Sequence, residues 1–226
     1  MPPKNSVKEY EEGGFYHIYN RGVEKREIFV DSQDYHKFIG YLKMYLSPPD
    51  PQGLTLRDDS GHSICPSHQN NNFNEEISLL AYCLMPNHFH LLIKQNTERG
   101  MADFMHSIIT KYVMYFNRRY QRVGGLFQGR YKTVRIESEN QFIGISKYIH
   151  SNPLPDHPSG SDLEGLCDYK YSSYGNYLKL FNQKWVNTED ILCYYPALQG
   201  PNSYRSFVEE TGDIARVYYE MIDLDL

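Results

Sequence analysis

Two apolar segments, residues 77–84 and 88–94, are separated only by Met85-Pro86-Asn87. A link that short makes an antiparallel hairpin the simplest arrangement. The second segment opens with His88-Phe89-His90. Neighbouring strand residues face opposite sides, so His88 and His90 share one sheet face and Phe89 takes the other. Two imidazoles on one face are half of a divalent-metal site. An isolated His-x-His is ordinarily a packed or hydrogen-bonded pair, so its meaning depends on what joins it. About sixty residues later the chain reads Lys147-Tyr148-Ile149-His150-Ser151-Asn152-Pro153. Tyr148 and Asn152 are one helical turn apart and share a helix face, whereas His150 points away from it.

The remaining periodicity surrounds this hairpin with a recognisable order. Phe15–Arg21 alternates and reads as a first strand ending at Gly22. Asp31 caps a helix with an apolar stripe at Tyr35, Phe38, Ile39, Leu42, Tyr45 and Leu46, stopped by Pro48 and Pro49. A long helix follows Gly100, with Phe104, Ile108, Tyr112, Tyr115 and Phe116. Residues 127–136 read as a strand. A helix from about Ser138 buries Phe142, Ile145 and Ile149 and ends at Pro153. Strand, helix, strand, strand, helix, strand, helix predicts an α+β, ferredoxin-like sandwich: a four-stranded antiparallel sheet with helices on one face.

Two segments stand outside that pattern. Residues 47–75 are polar and rich in Pro, Asn and Ser, which reads as a mobile insertion. Its His62-x-x-Cys65-x-x-His68 lacks a nearby fourth ligand and is not read as a zinc site. Beyond residue 154 the chain turns acidic and Tyr-rich. This predicts a catalytic domain over 1–154 and a small, mainly helical extension over 155–226, with helical segments near 171–180 and 204–210.

The net charge of −5 disfavours a nucleic-acid partner only until its distribution is considered. The acidic excess lies in the extension. Residues 104–136 contain no acid and seven bases: Lys111, Arg118, Arg119, Arg122, Arg130, Lys132 and Arg135. With Arg21 they are candidate DNA-phosphate contacts. Tyr112, Tyr115 and Tyr120 read as packing residues with scope for base contacts. No apolar run approaches a membrane span, there is no secretory signal, and four scattered cysteines suit a reducing, cytoplasmic setting.

A cation held by His88, His90 and Asn152 would polarise a phosphodiester for in-line attack by the Tyr148 phenol. At this point the chain resembles the single-tyrosine HUH transposases, and most closely the REP-associated tyrosine transposase branch. The matching stretches are residues 16–22, 82–92, 126–132 and 148–153, with Tyr171-Ser172-Ser173-Tyr174 in the extension. The resemblance implies His88 and His90 as metal ligands, Asn152 at the position of a third, amide ligand, and Mg²⁺ or Mn²⁺ as the metal. It implies Tyr148 as the nucleophile that stays joined to a 5′ phosphate. It further implies a partner of single-stranded DNA beside a hairpin, with no membrane, and a monomer or homodimer. Two alternatives remain: a non-catalytic hairpin-binding protein derived from a transposase, and a phosphodiesterase acting on a small substrate.

Overall fold

The computed structural model describes residues 10–49, 72–154, 165–197 and 199–210. Its centre is a sheet of β1 (Phe15–Arg21), β2 (Ile77–Met85), β3 (His88–Gln95) and β4 (Lys132–Ile136), in the order β2-β3-β1-β4. All three pairings are antiparallel. This is the ferredoxin-like order, and it puts β3 and β1 side by side at the centre.

One face carries α1 (Ser32–Leu46) and α2 (Gly100–Arg119). The Asp31 side chain accepts from the amides of Gln33 and Asp34 and caps α1 as its sequence predicts. Phe38 and Leu42 of α1 and Phe104 and Ile108 of α2 join Ile18, Leu84, Phe89 and Leu91 of the sheet in one apolar cluster. The last core helix, α3 (Glu139–Ser151), departs from the expectation of helices on one face: it lies on the opposite side. The reason is in the strands. β2 is buried at all but one position, so it needs cover on both sides. A register shift between Leu79 and Ala81 also turns Leu80 and Ala81 together toward α3.

The described part of the extension packs on that second face. It contributes α4 (Tyr174–Tyr177), α5 (Glu189–Leu192) and α6 (Tyr204–Glu209). Tyr174, Tyr177, Ile191, Tyr204 and Val208 share one apolar cluster with Ile145, Tyr148 and Ile149 of α3. His150 is the polar link. Its Nδ1 is 2.7 Å from the Tyr204 hydroxyl and its Nε2 is 2.8 Å from the Ser173 hydroxyl. Ser173 Oγ also accepts from the Tyr82 amide of β2. Lys147 donates to the Glu210 carbonyl at 2.8 Å.

The predicted strand 127–136 is shorter, because Gly129 turns the chain at a φ of 79° before the pairing begins at Lys132. The insertion is pinned where it is described: Phe73 is in the core and Asn72 donates to the Ser47 carbonyl. The His62, Cys65 and His68 group lies outside the described residues.

A buried carboxylate ties α1 to α2. Asp34 accepts from the Val30 amide, the Tyr115 and Tyr120 hydroxyls, and Arg119 at 2.6 Å. Removing Asp34 would leave these donors unpaired. Asp34→Ala is expected to cost about 3–5 kcal/mol in urea unfolding, whereas Glu11→Ala, at the surface pair with Arg135, leaves the midpoint unchanged.

Burial lowers the pKa of three fully buried histidines: His17 to about 3, His88 to about 4 and His150 to about 3. Above the unfolded value of about 6.5 neither state is protonated and stability is full. Between there and the folded values only the unfolded chain takes up protons. The metal-free protein should therefore lose stability as pH falls from about 6.5 toward 3, by up to ~1.4 kcal/mol per pH unit for each histidine. Urea titrations at stepped pH check this; a flat profile from pH 6.5 to 4.5 contradicts it.

Candidate active site

The hairpin turn before His88 is held from outside. Gly22 donates to the Asn87 carbonyl at 2.9 Å, and the Ile28 and Phe29 amides both donate to the Pro86 carbonyl. The intervening turn is strained, since Glu24 and Lys25 both have φ near 60°. Gly22 has no alternative there: a Cβ would lie 2.2 Å from the Arg26 carbonyl oxygen. The strained turn presents the Lys25 carbonyl to Asn87 Nδ2 at 3.4 Å.

That contact fixes the tautomer of His88. With Nδ2 on a carbonyl, Asn87 turns Oδ1 toward His88 Nδ1, 2.7 Å away. An amide oxygen only accepts, so His88 donates from Nδ1 and carries its lone pair on Nε2. The ring stays neutral near pH 7. Burial lowers its pKa to about 4, the Asn152 carbonyl pushes it back up, and Arg21 lowers it further.

Asn152 arrives from the other side of the site. It caps the C-terminus of α3, one turn past Tyr148, and its Oδ1 is 3.2 Å from His88 Nε2. Two acceptors thus face each other. Turning the amide would relieve them in the bare protein; a cation between them would use both as ligands. Asn152 Nδ2 has no hydrogen-bond partner among the described residues. Neutral nitrogen, an amide oxygen and burial fit a divalent ion. Among the described residues no three His, Cys, Asp or Glu side chains converge as a cage. The available set is two imidazoles and one amide.

His90 sits opposite Tyr19 of β1 and Cys83 of β2. Its ring meets His88 at 4.9 Å and Tyr148 of the same chain at 5.3 Å, edge to face in both cases. Tyr148, His90 and Asn152 have 0% exposure and His88 has 1%. The four residues singled out from the sequence are therefore brought together within one chain. His17, given no role there, is a fifth member: its Nε2 lies 2.9 Å from His90 Nδ1. Its place in the alternating first strand was readable, but the β1–β3 adjacency was not.

The candidate DNA contacts divide. Arg21 pairs in register with His88, and Lys132 with Tyr19, so both lie on the histidine face, with Lys132 about 10 Å across the sheet from His90. Arg118 and Arg130 are exposed elsewhere. Lys111 lies over the Tyr41 and Tyr45 rings of α1, and Arg122 over Phe116. The acid-free stretch is not uncompensated in space, which corrects its reading as one basic field. Arg119 binds Asp31 and Asp34, and Arg135 binds Glu11 on the opposite face. Tyr115 and Tyr120 likewise donate to Asp34, and Tyr112 is buried.

Residues 62–152 match the family described as "Transposase IS200 like". No curated protein matches the chain significantly. Among solved structures it is similar to a REP-associated tyrosine transposase bound to a REP hairpin, at 13% identity and a TM-score of 0.51. The likeness covers 82% of this chain and 92% of that one, and establishes a shared fold. No described helix is long and apolar enough to cross a membrane. The matched segment 62–152 carries both strand histidines, Tyr148 and Asn152, so the likeness to the IS200-like transposases falls on the residues that form this site.

Proposed function

We propose that this chain is a DNA transposase that cuts and rejoins a single strand beside a hairpin through a 5′-phosphotyrosine intermediate. The observation that carries the reading is the convergence of Tyr148 on the His88–His90 face while Asn152 reaches His88 from the next helical turn. The hairpin-bound neighbour and the family match support DNA as the partner.

His88, His90 and Asn152 would hold Mg²⁺ or Mn²⁺. Such a cation supplies Lewis-acid polarisation of a phosphodiester oxygen. The protein's own contributions are positional. Asn87 keeps the His88 lone pair directed at Asn152. The edge of the Tyr148 ring against His90 sets where the phenol stands. In the cut, the Tyr148 oxygen loses its proton and bonds to phosphorus. The bond from phosphorus to the 3′ oxygen breaks, that oxygen takes a proton, and the 5′ phosphate remains on Tyr148. Reversal with a second 3′ hydroxyl rejoins strands with no external energy source. Arg21 and Lys132 would hold phosphates flanking the cut. On this reading Tyr148 attacks in cis, beside the histidines of its own chain.

With a hairpin oligonucleotide and Mn²⁺, the protein should form an adduct that survives denaturing gels. Tyr148→Phe should abolish it, and an adduct that persists would remove the nucleophile assignment. His88→Ala should slow cleavage roughly 100-fold or more while hairpin affinity in EDTA stays near wild type. Lys132→Ala should reduce the slope of log affinity against log salt by about 0.7. Binding with steep salt dependence and no adduct under any metal would favour a hairpin-binding protein without chemistry.

A further inference from the structure

The buried histidine on β1 has no part in the chemistry above. His17 is fully buried, on a strand whose neighbouring residues on the same face are Tyr19 and Phe15. An apolar side chain would satisfy packing there at lower desolvation cost. Instead His17 places Nε2 2.9 Å from His90 Nδ1, with the two rings nearly parallel at 18°. Its edge also lies against the Tyr148 ring, 5.8 Å between centroids. It therefore touches both a candidate metal ligand and the candidate nucleophile.

One hydrogen must lie between the two nitrogens. If His17 donates it, a neutral His90 accepts on Nδ1 and bears its own hydrogen on Nε2, where it cannot ligate. If His90 donates from Nδ1, its lone pair is on Nε2. His88 supplies the precedent within this site, since it too gives Nδ1–H to a protein acceptor, Asn87, and directs Nε2 to Asn152. We propose that His17 is a positioning residue that accepts the Nδ1–H of His90 on its Nε2, so that both strand histidines present Nε2 to the phosphate-binding cation. The arrangement leaves His17 Nδ1 buried without a hydrogen-bond partner among the described residues. A fold that tolerates such an orphan atom gains orientation of a ligand in return.

This rests on the metal-site reading above, and the tests separate the two. In metal-free protein, long-range ¹H–¹⁵N imidazole spectra should show His90 as the Nδ1–H tautomer; the Nε2–H tautomer overturns the proposal whatever the metal does. For metal binding, His17→Leu fills the space without an acceptor, and His17→Gln restores one at similar reach. By calorimetry with Mn²⁺, His17→Leu should bind roughly 10–100-fold more weakly than wild type, and His17→Gln should recover most of that loss. Circular dichroism confirms that each variant is folded, and hairpin affinity in EDTA should be unchanged. Wild-type Mn²⁺ affinity in His17→Leu, or equal losses in the two variants, also overturns the proposal. If wild-type protein binds no Mn²⁺, the metal-site reading fails and takes this one with it.

Discussion

An imidazole buried on a central strand must find a partner for each of its polar nitrogens or leave it at a cost of about 1–3 kcal/mol. This chain buries two of them on β3, which is paired on both sides and covered on both faces. Much of the surrounding architecture answers that requirement. The strained turn at Glu24 and Lys25 orients Asn87 for one ring, β1 brings His17 to the other, and the end of α3 brings Asn152 to the first. The site is thus assembled by long-range pairing, and its parts are as rigid as the sheet that carries them.

Local periodicity revealed the hairpin, the cap at Asp31, the start of the last core helix near Ser138, and the Tyr148–Asn152 face, because each depends on residues a few positions apart. It failed where strand order decides. His17 and His90 are distant in sequence and meet only because β1 inserts between β3 and β4. The side chosen by α3 was equally hidden, although the nearly continuous apolar run of β2 already implied cover on two faces. Charge was misleading for a related reason. Counting along the chain isolates Arg119 and Arg135 from acids, whereas folding brings Asp31, Asp34 and Glu11 to them.

Composition separates the extension from the rest of the chain, but its described residues complete the same core. Ser173 bonds both β2 and His150, and Tyr204 closes the other side of that ring. The histidine that sequence reasoning set aside, because it points away from Tyr148, is the residue that fastens the helix bearing Tyr148 to its surroundings.

That fastening has a mechanical consequence. A strand esterified to Tyr148 would transmit any tension on the DNA into α3. A helix held only by its own apolar stripe could slide or tilt under such a pull. Here the load path continues sideways through His150 into Ser173 and β2, and through Lys147 into the Glu210 carbonyl. Under the proposed mechanism the extension would act as an anchor, holding the tethered end in place until a second strand arrives.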